Sequence, residues 1–292
     1  MRILITNADD MGYTRGVNQA IAQCFAAGML RSSTLMANGA AFDDAIALAR
    51  NSEDLDVGVH LVLTELPPVS SQGKICGLVD EGGYLPGTVG ELMLSLLAGR
   101  INKEALRQEL SSQITKVLDH GVQPSHLDTH KHVHVVPQIL EVVVELARKF
   151  SIPWVRNPFD ETPFFRLARL VDSKNTASFC IQQLKARLAR VTRASFWGRI
   201  RGSSVRAPDH FFGTSLTGIW NEAVMIEFLK ELPPGMTEWM IHPGNCDEEL
   251  RRMDTRLLEQ RENEKNLLIS QELREQLTKR NIILSSFRAE VR

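Results

Sequence analysis

The chain carries no excess of either charge: 34 Lys and Arg stand against 35 Asp and Glu in 292 residues, a formal net charge of −1. A protein whose affinity came chiefly from neutralising phosphates would show a clear basic surplus, so nucleic acid is excluded as the main partner. No run approaches the roughly 18 apolar residues that span a bilayer. The opening Met1-Arg-Ile-Leu-Ile-Thr-Asn7 is too short an apolar stretch, and too soon followed by Asp9 and Asp10, for the core of a secretory signal. Cysteine is sparse, and Cys24, Cys76, Cys180 and Cys246 form no CxxC pair, so reduced thiols and a cytoplasmic location are expected. Internal repeats and low-complexity tracts are missing too. What is present, 43% hydrophobic and 24% charged residues, is an ordinary soluble composition with enough apolar material for a sizeable core.

Short apolar runs alternate with helical spacing along most of the chain. Strands are expected over residues 2–6, 33–37, 57–63, 126–128, 154–156, 239–242 and 282–287, with helices over 17–27, 42–50, 103–118 and 137–149. This rhythm implies parallel strands with helices packed outside. The expected fold is an α/β, distorted (β/α) TIM-like barrel of about seven parallel strands; an open doubly wound sheet is the other arrangement with this rhythm. The whole of 1–292 is expected to form one domain. Two segments interrupt it: a loop rich in Pro, Gly and Ser over 66–87, and a basic helical insertion around 160–210. Within that insertion, residues 164–206 hold ten Lys and Arg and one acidic residue, Asp172.

The chemistry concentrates at expected strand ends, the edge where α/β folds mount catalytic side chains. Asp9 and Asp10 close the first strand. Consecutive residues of an extended chain point oppositely, so these two carboxylates should do different jobs, one binding a metal and one handling a proton; the alternative is that one caps the following helix. His126-Leu-Asp-Thr-His-Lys-His-Val-His134 packs four of the eight histidines and one carboxylate into nine positions. Same-face neighbours on a strand are about 7 Å apart, whereas ligands of one ion lie within about 4 Å of each other. Only one or two of these histidines can therefore hold one metal, and the others are expected to support it through hydrogen bonds. His60 interrupts the apolar run Val57-Gly-Val-His-Leu-Val-Leu63 and is either a core residue or a ligand. Two histidines and one carboxylate would leave coordination positions open, a catalytic rather than a structural arrangement. His242 ends Trp239-Met-Ile-His, and Arg156 in Trp154-Val-Arg sits at the matching place on an earlier strand, where it could clamp a carboxylate through two parallel bonds.

Four motifs, Asn7-Ala-Asp-Asp-Met-Gly12, Gly58-Val-His-Leu-Val-Leu-Thr64, the histidine cluster His126 to His134, and Ile241-His-Pro-Gly244, together resemble the YdjC-like carbohydrate deacetylase family. The resemblance spans nearly the whole chain in the right order. Leu78-Val-Asp-Glu-Gly-Gly-Tyr84, His130-Lys-His132 and Arg206-Ala-Pro-Asp-His-Phe-Phe-Gly213 lean toward the hopanoid-biosynthesis-associated branch. The resemblance implies a distorted barrel and one divalent metal ion, Mg2+ or Zn2+, with Asp10, His60 and His130 as ligands, Asp9 as general base and His242 as general acid. Arg156, His126, Asp128, His132 and His134 would support the metal or the substrate. Lys131 stands where many relatives carry another histidine, which argues against a ligand at that position.

The activity so implied is hydrolysis of an N-acetyl group on an amino sugar, oligosaccharide or glycolipid. Metal-dependent phosphoester cleavage is the alternative within hydrolases, and a metal-stabilised sugar-binding module without turnover is the alternative outside them. Residues 182–193 place Leu184, Leu188 and Val191 on one stripe, with Lys185, Arg187, Arg190 and Arg193 around the rest. The stripe is narrow, so a solvated helix packed on the barrel is the expected reading; peripheral contact with an anionic bilayer is the other. A homodimer is left open.

Overall fold

The structure, a computed structural model, describes residues 1–289; the last three positions of the expected 1–292 domain lie outside the described residues. The chain opens with β1 (Arg2–Met11), α1 (Arg15–Ala26), β2 (Ser32–Leu35), α2 (Phe42–Asn51) and β3 (Asp56–Leu61). After a long irregular stretch come α3 (Val89–Leu97) and α4 (Lys103–Asp119), then β4 (His126–Thr129), α5 (Pro137–Lys149) and β5 (Trp154–Val155). The basic segment folds as α6 (Phe164–Leu167), α7 (Thr176–Ala189) and α8 (Arg193–Arg201), followed by β6 (His210–Phe212), α9 (Glu222–Lys230) and β7 (Gly235–Ile241). The helices α10 (Glu248–Arg251), α11 (Glu259–Ile269) and α12 (Gln271–Lys279) precede β8 (Ile282–Ser285).

Every strand pairing is parallel. The order β5-β4-β3-β2-β1-β7-β6 is sequential around a ring, the order of a (β/α) barrel rather than of a doubly wound sheet, where it reverses. Among the described residues β5 and β6 do not pair directly, and each meets only a flanking residue of the other through a single bridge, Trp154 with Arg206 and Phe211 with Asp160. That seam is the distortion. β8 adds an eighth strand without widening the ring: it pairs with the first residues of β1, from Arg2 to Ile5, and β2 pairs with the last, from Asn7 to Met11.

Alternation along the strands sorts the side chains. Leu4, Ala8 and Met11 face the helices in the main core, whereas Ile5 joins Trp154, Phe287 and the partly buried Met236 in a small apolar cluster inside the barrel. Above that plug the interior is polar. β1 runs on through Met11, although residues 2–6 were the expected strand, because the carboxylates at its end find charged partners inside the barrel. Residues 66–87 are irregular as expected apart from one short turn at Gln72–Lys74. α3, β6, α9, α10, α11 and α12 escaped the sequence reading; β6 has only three residues, too few to show a period.

Gly58 marks a tight place in the barrel wall. A Cβ there would lie 2.5 Å from the His126 ring, and that ring stacks on Phe287 at 3.9 Å between centroids. Gly58→Ala should therefore lower stability by about 1–3 kcal/mol. In a His126→Ala background the same substitution should cost much less. Denaturant melts of the two single variants and the double variant check this coupling.

Candidate active site

A single buried arginine organises the polar interior. Arg156 is wholly buried, and its Nη1 and Nη2 donate to Asp9 Oδ2 and Oδ1 at 2.7 and 2.6 Å. Nη1 also lies 2.6 Å from Asp128 Oδ2, and Nε donates to Glu238 Oε1 at 2.8 Å. One guanidinium thus joins three carboxylates from β1, β4 and β7. Burial alone would raise the Asp9 pKa, but Arg156 outweighs it and holds the carboxyl below its ordinary value. Glu238, whose other oxygen has no partner, is pushed up to about 7 because burial outweighs the single arginine contact.

Beside Asp9 the strand breaks its own geometry. Asp10 has φ of +69°, a left-handed conformation that costs roughly 1 kcal/mol for a residue with a Cβ. The β1/β2 register shifts there as well. Regular alternation would point Asp10 away from the interior; the bulge brings both carboxylates to the same end of the barrel while giving them different partners. Neither caps the next helix, since Thr14 does so by accepting from Val17 N–H at 3.2 Å.

Asp10 Oδ1, His60 Nε2 and His130 Nδ1 form a triangle with edges of 3.5, 3.5 and 3.3 Å. Ligands about 2.1 Å from a tetrahedral ion lie about 3.4 Å apart, so these three residues could hold one metal. Asp10 Oδ1 is buried without a hydrogen-bond partner, a vacancy in its bonding that a cation would fill. A second group of the right size, Asp9, His60 and Asp128, is poorer, because Arg156 already takes both of its carboxylates. Burial opposes charge on His60, but Asp128, Asp9 and Asp10 outweigh it and raise the ring to about 9. His60 Nδ1 lies 2.8 Å from Asp128 Oδ1, the outer contact that turns Nε2 toward the triangle.

The histidine cluster divides. His126 and Asp128 face the barrel interior from β4, but His126 sits down at the Phe287 plug, neutral because burial holds its pKa well below the ordinary value. His130 directly follows β4 and so reaches the triangle from the strand end; the chain then turns away at Lys131 and His132, whose φ are +57° and +54°. His130 Nε2 meets Glu65 Oε2 at 3.2 Å, and Lys131 meets the other Glu65 oxygen at 3.2 Å. His132 packs edge-on to Phe211. His134 is tied to Thr129 Oγ1 at 2.6 Å and to the Arg156 carbonyl at 3.2 Å, so it braces the loop.

Three supporting residues on α11 and β7 were not singled out from the sequence. Arg261, 2% exposed, donates from Nη2 to Asp10 Oδ2 at 2.6 Å, and with burial opposing it this guanidinium helps hold Asp10 well below its usual range. Glu264, one turn on, accepts the His242 backbone N–H at 2.6 Å and lies 3.7 Å from its Nδ1. α11 reads Glu-Gln-Arg-Glu-Asn-Glu, which looks like a solvated helix and carries no sign of a buried role. Glu238 did carry a sign: a lone acid before Trp-Met-Ile in an apolar strand.

Fold and site define a TIM-like barrel protein with an Asp-His-His cluster at the C-terminal ends of its strands. The chain belongs to the YdjC-like protein family, whose model matches residues 3–279. It is 27% identical over 291 residues to a carbohydrate deacetylase of Thermoanaerobacter pseudethanolicus, covering 98% of each chain. A carbohydrate deacetylase of Brevibacillus brevis is 30% identical over 285 residues, covering 97% of this chain and 98% of that one. A crystal structure from Enterococcus faecalis V583, named provisionally as a cellobiose-phosphate cleavage protein, superposes with a TM-score of 0.75 at 26% identity, covering 98% of this chain and 97% of that chain.

The raised Glu238 gives a pH signature. Between its ordinary 4.5 and about 7, the folded state holds a proton that the unfolded state has released, so stability falls as pH rises across this window. Glu238→Gln should remove that slope, a difference on the order of 2 kcal/mol. Thermal melts of both proteins from pH 4.5 to 7.5 check it; parallel profiles would be the contrary result.

Proposed function

We propose that the chain is a metal-dependent N-deacetylase that hydrolyses the acetamide of an N-acetylated amino sugar, alone, in an oligosaccharide or on a glycolipid. The observation that carries this reading is the Asp10–His60–His130 triangle beside a second, arginine-held carboxylate. Two relatives named carbohydrate deacetylase along nearly the whole chain support it. The two-nitrogen, one-oxygen donor set suits a borderline ion such as Zn2+ better than Mg2+, which favours six oxygens. Bound there, such an ion supplies Lewis acidity toward the amide carbonyl and acidifies a water.

The chain's own residues supply the rest. Asp9, kept ionised by Arg156, accepts the proton of the attacking water. The water oxygen bonds to the carbonyl carbon, and the carbon–nitrogen bond breaks once the amine nitrogen is protonated. His242, whose backbone N–H is held by Glu264, donates that proton. Asp128 orients His60, Glu65 orients His130 and Arg261 fixes the far oxygen of Asp10. His132 packs against Phe211, and His126 and His134 hold the scaffold. We assign residues 1–292 to one catalytic domain acting in the cytoplasm. The four cysteines are free, and among the described residues no helix is long and apolar enough to cross a membrane.

Phosphoester cleavage is the second reading, favoured by the name of the Enterococcus structure. A second metal would have to displace Arg156 from Asp9 and Asp128, which disfavours a two-ion phosphatase site. Acetate and phosphate assays on N-acetylated and phosphorylated sugars, with and without chelator, separate the two readings and also the non-catalytic one.

Asp9→Asn should lower kcat by about 10²–10⁴-fold with metal still bound, whereas His60→Ala and His130→Ala should lose the metal. Arg261→Gln should weaken metal affinity by about 10–100-fold and leave most of the turnover at saturating metal. Metal titration followed by acetate release measures both quantities in each variant.

A further inference from the structure

The basic segment takes no part in this chemistry; α7 packs on the barrel as expected and leaves an aliphatic row on its outer face. α7 turns Phe179, Gln183 and Ala186 inward. It leaves Ile181, Leu184 and Leu188 at 55%, 59% and 62% exposure, with Val191 in the turn beyond it at 84%. Spacings of three, four and three residues set these four along one line. Single exposed aliphatics are ordinary, but a continuous row of four marks an interaction surface. Phe164 stacks on Phe179 with centroids 5.3 Å apart, which places Phe165, 83% exposed, beside the same helix.

The row has cations on both sides. At 100° per residue Lys185 falls on one flank and Arg187 on the other, and neither forms an ion pair among the described residues. From residue 173 to residue 208 there are eight Lys and Arg and no Asp or Glu. Arg193 and Arg199 are paired with Glu161 and Glu141; the rest of the charge is uncompensated within the segment.

The position of the helix matters as much as its composition. Gln183 donates to the Thr162 carbonyl at 3.2 Å, Gln182 to that of Thr217 at 3.4 Å and Arg190 to that of Asp160 at 2.7 Å. Those carbonyls belong to the loops leaving β5 and β6. They lie at the C-terminal rim of the barrel, the rim that carries Asp10, His60 and His130.

We propose that the exposed face of α7 docks on an anionic bilayer surface, the aliphatic row entering the headgroup boundary and the flanking cations meeting lipid phosphates. Docking this rim brings the mouth of the site to the interface, where it meets N-acetylated sugars carried on lipid. The docking rests on the surface alone, and only its use in catalysis rests on the deacetylase reading. A second copy of the chain is a poorer occupant, because a two-fold contact would set Lys185 and Arg187 against their own copies with no acid in the patch. Nucleic acid is poorer too, since its phosphates would face the aliphatic row.

Vesicles of phosphatidylcholine, with or without phosphatidylglycerol, test this by co-sedimentation of the full chain at low and high salt. Binding is expected only to the anionic vesicles, weakening as salt rises. Leu184→Gln with Leu188→Gln, and separately Lys185→Glu with Arg187→Glu, should each lower the bound fraction about tenfold or more, with unchanged thermal melts. The proposal is overturned by absence of binding at low salt, by equal binding to neutral vesicles, or by variants that bind as well as the parent. It is overturned equally by a dimer in sedimentation velocity that Leu184→Gln with Leu188→Gln dissociates. Vesicle binding without acetate release from any N-acetylated sugar, soluble or lipid-borne, would leave docking in place and remove the deacetylase reading.

Discussion

The buried Arg156 guanidinium is the interaction on which the rest of the site depends. Three carboxylates converge on it from strands far apart in sequence, Asp9, Asp128 and Glu238, and without a cation among them they could not share a dry interior. Each consequence follows from that pairing. Asp9 stays ionised, Asp128 keeps an oxygen for His60, and Glu238 is left as the acid most easily protonated. Because Arg156 also takes up the charge of Asp9 and Asp128, the carboxylate left to face the two histidines is Asp10.

A division of labour between adjacent aspartates follows. An ordinary strand would send Asp9 and Asp10 to opposite faces. The left-handed Asp10 and the bulge beside it hold both at one end of the barrel, each with its own arginine. Arg156 and Arg261 therefore do comparable work on opposite sides of the site, one keeping a carboxylate ionised and the other aiming one. The cost of the strained residue is borne by these two contacts and by the parallel pairing of β1 on both of its edges.

The fold was largely legible because a barrel repeats one pattern. Buried parallel strands are short apolar runs, outer helices carry the longer period, and the two alternate with enough regularity to call for a barrel. Three of the places where the pattern failed share one cause. β6 is three residues long, α3 follows a loop rich in Pro and Gly, and the end of β1 is acidic; local preference is weak or adverse there, and only pairing with neighbours makes these segments regular. The basic segment shows the converse. Its composition was plain, but which side of α7 it buries depends on where Phe164 and the β5 and β6 loops lie.

By itself the sequence determined which residue types could do chemistry and that they stand at strand ends: an Asp-Asp pair, a histidine in an apolar strand, a histidine-rich turn and a late histidine before Pro-Gly. Tertiary structure alone decided which of them meet. His130 reaches His60 because it directly follows β4, whose Asp128 and Thr129 pair with His60 and Leu61, and His126 stays behind at the plug because it opens that strand at the opposite end. Arg261 and Glu264 reach the site from a helix whose polar sequence resembles a solvated one, since burial by a neighbouring barrel wall leaves no periodic mark in a helix that buries charges. Spacing along a chain fixes direction only within one element; distance between elements is set by the closure of the sheet.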